Sequence, residues 1–452
     1  MKTGETHGKT AYSKSRNQSV FSDGDALLSR KGISRIEVEN ALLQARAADN
    51  DPRATFCDRW INDRGLLLDD DAIDVAKAAY LAFFSKNNSY PPIMRFEHEL
   101  VTMALELFHA GPEAIGSLTS GGSESLFLAT ASALSAARRD RPGLAMPEVL
   151  MAESGHPAFE KYGRYLGYTV RRVPVDHEFR ADPLAIARAV TYNTIMIVAS
   201  VSSWTHGACD PVTELAEIAL SGGVWLHVDA CVGGFLAPFV RDLGRDVPDF
   251  DFQTPGVASI SSDFHKYGYS AKGVSGVFYR NGDLAQSQPF VFDAWSAGLY
   301  RSPVFTGTRS GGAIAAAWAV ARYLGREGYC RRAAQILKLR DVLVKYATVT
   351  PELRLLGRAE LGTVAIGSNN VDIYAVAAEL RARGWTINVL KNPPAVQLVL
   401  GPLRDEYIKQ LISDFKSAVE NAGRDDIALE PPLVVYSDEI LDLPGFPVFR
   451  GN

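Results

Sequence analysis

Apolar positions along this 452-residue chain change period from segment to segment, and each change marks a different element. Ile33 to Ala48 carries its apolar residues at helical spacing and predicts an amphipathic helix. Leu126 to Arg139 is an alanine-rich run that predicts a helix, with Gly121 and Gly122 at its start. Short apolar runs of strand length lie among such helical patterns: Val149-Leu150-Met151, Ile195-Met196-Ile197-Val198-Ala199, Gly223 to Val228, and Val257-Ala258-Ser259-Ile260-Ser261. Strands of this kind, buried on both faces and alternating with helices, argue for an α/β fold built on a mostly parallel sheet. Towards the C-terminus, Val371 to Arg383 reads as a helix, Thr386 to Leu390 and Val396 to Leu400 as strands, and Asp405 to Asn421 as a further helix. No internal repeat is present.

The length exceeds one average domain. Residues 1–54 are expected to form an N-terminal tail and helical arm, with Met1 to Ser19 a disordered polar tail. Residues 55–327 are expected to form a large domain and residues 328–452 a small C-terminal one. With 47% hydrophobic residues, the chain can bury a sizeable core.

Composition narrows the function classes. The net charge is −5, with acids and bases interleaved and no basic stripe, so nucleic acid is not expected as a partner. No apolar run reaches about eighteen residues and the N-terminus is polar, so neither a membrane span nor a secretory signal is expected. Cys57, Cys209, Cys231 and Cys330 lack disulfide or zinc spacing, which suits a reducing cytoplasm. The eight histidines show no metal-ligand pairing, and no metal is expected.

The chemistry centres on two strand ends. Asp229 closes the apolar run Val224-Trp225-Leu226-His227-Val228, and Lys266 stands thirty-seven positions later in Asp263-Phe264-His265-Lys266-Tyr267-Gly268. Alone, a lysine reads as a solvated charge and an aspartate at a strand end as a cap or turn. Together they supply what pyridoxal phosphate requires: an amine to hold it as a Schiff base and a carboxylate to keep its pyridine nitrogen protonated. Upstream, Thr119-Ser120-Gly121-Gly122-Ser123 opens the alanine-rich helix, where backbone N–H groups and the helix dipole favour a phosphate.

With these stretches in place, the chain resembles the fold-type I enzymes of the group II pyridoxal phosphate decarboxylase superfamily, and within it most closely the sphingosine-1-phosphate lyases of the soluble bacterial kind. The matching stretches include Thr119-Ser120-Gly121-Gly122, His227-Val228-Asp229-Ala230 with Gly233-Gly234-Phe235, Asp263 to Gly268 with Lys272-Gly273, and Gly298-Leu299-Tyr300. Gly307-Thr308-Arg309-Ser310-Gly311, Arg383-Gly384-Trp385 and Asn392-Pro393-Pro394 are similar to the lyases in particular. The resemblance implies a mostly parallel seven-stranded sheet in the large domain and a small α/β C-terminal domain. It implies that Lys266 carries the cofactor, Asp229 pairs with its ring nitrogen and His156 stacks on the ring. Gly121, Gly122, Ser123 and His265 would bind the phosphate, with Gly307 and Thr308 reaching it from a neighbouring subunit in a homodimer. Asp210 would close the ring pocket.

The implied reaction is retro-aldol cleavage of a phosphorylated long-chain 2-amino-3-hydroxy compound to a fatty aldehyde and phosphoethanolamine. Lys266, Lys272, His156 and Tyr300 are the candidates for its proton transfers. Amino-acid decarboxylation is the alternative outcome of the same electron sink, and a non-catalytic scaffold would have no chemical need for Lys266, Asp229 and the glycine turn together. Glu97 and Glu124, both in helical stretches, read as cap or surface residues. One departure bears on the substrate. Lyases have a Leu-His loop for the substrate phosphate ahead of the stretch seen here as Phe96-Glu97-His98-Glu99, whereas this chain reads Lys86-Asn87-Asn88-Ser89-Tyr90-Pro91-Pro92. That leaves room for a smaller hydroxy amino acid or amine, with Lys86 and Arg95 as nearby cations.

Overall fold

The computed structural model of the chain describes residues 34–48 and 71–422. The polar tail, the start of the large domain at residue 55 and the last thirty positions, 423–452, lie outside the described residues. Helix α1 (Arg35–Ala48) is a unit of its own. A reciprocal capping box starts it: the Ser34 N–H donates to Glu37 Oε2 (2.7 Å) and the Glu37 N–H to Ser34 Oγ (3.3 Å).

The remaining elements follow in chain order. Helices α2 (Ala72–Phe83) and α3 (Pro91–Leu107) precede strand β1 (Ile115–Thr119) and helix α4 (Gly122–Asp140). Then come β2 (Glu148–Ala152), α5 (Ala158–Leu166), β3 (Thr169–Val173), α6 (Pro183–Ala189), β4 (Thr194–Ser200), α7 (Val212–Gly222), β5 (Trp225–Asp229), α8 (Ala237–Asp242) and β6 (Val257–Ser262). Strand β7 (Ser275–Tyr279) and the short α9 (Gly282–Ala285) lead to a hairpin of β8 (Phe290–Trp295) and β9 (Gly298–Ser302). The long α10 (Gly311–Val349) is followed by β10 (Leu353–Leu356), β11 (Thr363–Ser368), α11 (Ile373–Ala382), β12 (Asn388–Lys391), β13 (Pro394–Val399) and α12 (Asp405–Ala422).

The first sheet has seven strands in the order β1-β7-β6-β5-β4-β2-β3. Strand β7 alone runs against its two neighbours, and the other four pairings are parallel. The expectation of a mostly parallel seven-stranded sheet is therefore met. The strand period of two sorts side chains onto opposite faces. Val149, Met151, Met196, Val198, Val277 and Tyr279 pack with Leu126, Ala129, Ala133 and Phe159 of α4 and α5. Leu150, Ile197, Ala199, Leu226, Val228, Ile260 and Phe278 pack on the other face, with residues of α3, α6, α7, α8 and α10. Both faces are thus covered, as a parallel sheet requires.

The second sheet has four antiparallel strands in the order β10-β11-β13-β12, packed with α11 and α12. The two sequence-expected strands and two helices of this region are present, with β13 starting two residues earlier than the apolar run indicated. Helix α10 changes direction at Gly325, whose φ of 54° is left-handed. Among the described residues no helix is long and apolar enough to cross a membrane.

Candidate active site

A cavity of about 350 Å³ opens at the carboxyl ends of β1, β2, β4, β5 and β6, where ligands bind in open α/β sheets. The turn from β1 into α4 contributes Gly121, Gly122, Ser123 and Leu126. The loop after β2 contributes His156 and Pro157, and the end of β4 with its following loop gives Ser200, Ser202 and Trp204. Asp229, Cys231 and Val232 come from β5 and its exit; Asp263, His265 and Lys266 come from the exit of β6. Seven of the residues singled out from the sequence, Gly121, Gly122, Ser123, His156, Asp229, His265 and Lys266, are thereby brought together across 146 positions of chain.

Lys266 is buried, and its Nζ lies 3.0 Å from Asp263 Oδ2. Burial alone would lower the lysine, but the charge of Asp263, reinforced by the Asp263 hydrogen bond and by Asp229, outweighs it and holds the ammonium above its ordinary range. Asp263 in turn accepts from Ser275 Oγ (2.5 Å) and has His265 Nε2 at 3.5 Å. Burial raises this carboxyl, yet the charge of Lys266 and the hydrogen bonds from Ser275 and Lys266 prevail and it stays below the usual carboxylate range. Burial lowers His156 and His265 against the opposing pull of the nearby carboxylates, so both rings tend to the neutral form.

Asp229 ends β5 with Oδ1 accepting the Cys231 N–H at 3.1 Å. Two positions earlier, His227 is fixed between hydroxyls of β6: Nδ1 is 2.8 Å from Ser259 Oγ and Nε2 3.2 Å from Ser261 Oγ. The neighbouring Trp225 Nε1–H donates to the same Ser259 Oγ (2.7 Å). These bonds pin β5 against β6 directly behind the two strand exits that carry Asp229 and Lys266. The Cys231 thiol is pushed well up by burial and then by the charges of Asp229 and Asp263, so it stays protonated.

Gly122 is required by close approach. A Cβ there would lie 2.8 Å from Asp263 Oδ1 and 2.9 Å from Cys231 Sγ. The first turn of α4 therefore sits against the exits of β5 and β6, and its N-terminal amides face the cavity as an anion cradle. Ser202 Oγ, on the cavity wall, is buried without a hydrogen-bond partner. An amine, a carboxylate, a helix N-terminus and a buried hydroxyl around one chamber are the donor set that pyridoxal phosphate needs.

The other candidates lie elsewhere. Lys272 is exposed in the loop before β7, and its charge lowers His265. Tyr300 projects from the exposed hairpin, and Gly307 and Thr308 are exposed in the following strap. None of the four lines the cavity. Asp210 is fully buried behind the wall, where its carboxylate accepts the Ala181 and Ser200 N–H groups (2.7 Å each). Lys86 stands over the Tyr90 ring, and Arg95 pairs loosely with Glu99.

Asp263, Cys231, Ser202 and Trp204 line the cavity without being among the site residues expected from the sequence. Asp263, three positions before Lys266, carried the clearest available signal, a carboxylate inside the lysine motif itself. Of the cap or surface roles expected for Glu97 and Glu124, the cap holds for Glu124 and an exposed surface position for neither. Glu97 forms a two-pronged ion pair with Arg309 (2.7 and 2.9 Å), and Glu124 caps the α4 entry at Ser120 while also holding Thr306.

Residues 75–366 match the model of the pyridoxal-dependent decarboxylase conserved domain. A solved sphingosine-1-phosphate lyase of Burkholderia pseudomallei superposes with a TM-score of 0.83 at 34% identity, covering 88% of this chain and 93% of that one. The sphingosine-1-phosphate lyase of Arabidopsis thaliana is 39% identical over 73% of this chain, which spans 62% of that protein's length. A probable L-tyrosine/L-aspartate decarboxylase of Methanothermobacter thermautotrophicus is 31% identical over 76% of this chain and 93% of its own length. The lysine, the aspartate and the glycine turn meet in one cavity and all lie within the matched residues 75–366, and the chain belongs to the pyridoxal-dependent decarboxylase family, with pyridoxal phosphate as its cofactor.

Proposed function

We propose that the chain is a carbon–carbon lyase that cleaves a phosphorylated long-chain 2-amino-3-hydroxy compound, of the sphingosine-1-phosphate type, into a fatty aldehyde and phosphoethanolamine. The observation that carries this reading is the meeting of Lys266, Asp229 and the α4 glycine turn in one cavity, in a chain 34% identical to a sphingosine-1-phosphate lyase over 93% of that protein's length.

When bound, pyridoxal phosphate supplies an electron sink for whichever bond at the amine-bearing carbon stands perpendicular to its ring. In this reading Lys266 holds it through the side-chain amine, Asp229 keeps the ring nitrogen protonated, and His156 lies against the ring. Gly121, Gly122, Ser123 and His265 take the phosphate at the α4 N-terminus. Asp263 holds the proton on Lys266 Nζ, 3.0 Å away, while the lysine is free of the cofactor. Lys266, once displaced by the substrate amine, can accept the 3-hydroxyl proton and return one to C2, while His156, neutral through burial and with Nδ1 accepting the Ala158 N–H (3.2 Å), offers its Nε2–H as a donor. Lys272 and Tyr300 would act from outside the cavity wall. Trp204, in the loop after β4, adds an aromatic side chain to the lining of the chamber.

The reading includes a homodimer with shared sites. Phe290, Val291, Phe292, Trp295, Leu299 and Phe305 are exposed on and beside the β8–β9 hairpin, an apolar surface of the kind that marks an interface. Gly307 and Thr308 stand exposed beside it, available to a second copy's cofactor phosphate. Residues 55–327 would form the large cofactor domain and 328–452 the small one. Cys209, Cys231 and Cys330 are free thiols, which suits a cytoplasmic enzyme.

Amino-acid decarboxylation is the second reading. The Methanothermobacter thermautotrophicus relative and the Lys86 to Pro92 loop without a histidine support it. Incubating the cofactor-loaded protein with sphingosine-1-phosphate, shorter phosphorylated amino alcohols and a panel of amino acids separates the two. Long-chain aldehyde with phosphoethanolamine establishes the lyase; carbon dioxide from an amino acid, without aldehyde, replaces it with the decarboxylase.

A further inference from the structure

The Glu124 carboxylate has four donors from two distant segments. Oε2 accepts from the Ser120 N–H (2.6 Å) and Ser120 Oγ (2.7 Å), and Oε1 accepts from the Thr306 N–H (2.8 Å) and Thr306 Oγ1 (3.1 Å). The side chain is buried although Ser120 is exposed. Ser120 opens the turn that places Gly121, Gly122 and Ser123 on the cavity wall. Thr306 opens the strap that carries Gly307 and Thr308.

The other end of that strap is fixed by Arg309. Its guanidinium meets Glu97 through both nitrogens and donates to the Leu118 carbonyl (3.0 Å) at the end of β1, while its N–H donates to Asn88 Oδ1 (2.9 Å). Gly307 and Thr308 therefore form a short span between two anchors, and one of those anchors is also the brace of the glycine turn. A shift of either segment loads the same carboxylate. Charge-assisted hydrogen bonds of this kind are short and strong, and the buried position keeps water from replacing a lost one.

We propose that Glu124 is a positioning residue that couples the glycine turn of its own cofactor site to the strap at 306–309. The inference rests on the reading that Gly307 and Thr308 serve the site of a second copy. On that reading Glu124 acts on two sites at once, in its own chain through Ser120 and in the neighbour through Thr306.

Mixed dimers test it, with cofactor affinity read from the visible absorbance of bound pyridoxal phosphate. In the first arrangement a Glu124→Gln chain with intact Lys266 is paired with a Lys266→Ala chain, so the live site has the altered turn and an unaltered strap. In the second, Glu124→Gln and Lys266→Ala share one chain and the partner is wild type, so the live site has an unaltered turn and the altered strap. The expected result is affinity weakened roughly tenfold in both, relative to wild type paired with Lys266→Ala. Normal affinity in either arrangement overturns the coupling. Thr306→Val, which keeps the Ser120 contacts, provides the second variant: it should weaken the second arrangement more than the first, and equal effects in the two would count against the proposal. A protein that sediments as a monomer would instead sink the underlying two-copy reading.

Discussion

Lys266 Nζ and Asp263 Oδ2 lie 3.0 Å apart in a buried site, so the amine proposed to carry the cofactor is held as an ammonium by the carboxylate three positions before it. Burial and Asp263 act on this lysine in opposite directions, and Asp263 prevails. Asp263→Asn removes the opposing charge and leaves burial to lower the lysine. The pH profile for cofactor capture by the cofactor-free protein should then move to lower pH, followed by the visible band of bound cofactor. An unchanged profile would show that Asp263 does not govern the lysine proton.

Asp229 is predicted to act through its charge rather than its bond to Cys231. Asp229→Asn retains an oxygen for the Cys231 N–H, so the cofactor-free protein should keep its thermal stability. Turnover should fall by roughly a hundredfold or more, the scale of losing one aligned electrostatic group. A matched loss of stability and activity would instead make Asp229 a structural residue.

Acid should unfold the protein early. Burial lowers both His206 and His227 from 6.5 to about 4, so the unfolded chain binds protons that the folded one refuses. The stability they contribute is present above about pH 6.5 and is lost as pH falls towards 4. Asp210 acts in the opposite sense, raised from 3.8 to about 6 by burial, but it is one group set against two imidazoles displaced to a similar extent. Denaturant titrations across this range should show stability rising with pH, and His227→Gln should flatten the slope. A slope of the opposite sign would refute the assignment.

Tyr267, next to the cofactor lysine, ties it to the second sheet. Its hydroxyl donates to Leu400 O (2.8 Å) and approaches Gly362 O (3.2 Å), and Gly362 O also accepts the Leu400 N–H (2.7 Å). Tyr267→Phe leaves the Leu400 carbonyl short of a donor, at a cost of about 1–3 kcal/mol. Denaturant midpoints measure this directly, and a loss below a few tenths would mean the bond is dispensable.

The β8–β9 hairpin should hold the dimer. Placing charge on it, as in Phe292→Asp with Trp295→Asp, should yield monomers in sedimentation and remove cofactor-dependent turnover together. Full activity in a monomer would contradict the shared-site arrangement.

Much of this was legible before any coordinates, because the sheet is buried on both faces and its strands read as apolar runs. Asp229 and Lys266 follow from where two such runs stop, and the glycine turn from where a helix begins. The pairings that complete the site were not legible. Trp204 is set by Gln397 of β13, whose side-chain amide donates to the Trp204 and Thr205 carbonyls from almost two hundred positions away. The contact of Glu124 with Thr306 is equally remote, so a helical glutamate read as a cap or surface residue. The hairpin escaped for another reason: Phe290 to Trp295 is exposed along its whole length in one chain, so no alternation of buried and polar positions marks it as a strand.

The most direct test of the central claim is mass spectrometry of products formed from sphingosine-1-phosphate in heavy water, with wild-type and Lys266→Ala protein side by side. Breaking the C2–C3 bond and protonating C2 from solvent predicts a long-chain aldehyde and phosphoethanolamine bearing a single carbon-bound deuterium, from the wild type alone. No cleavage of this substrate, with carbon dioxide released from an amino acid instead, would contradict the account.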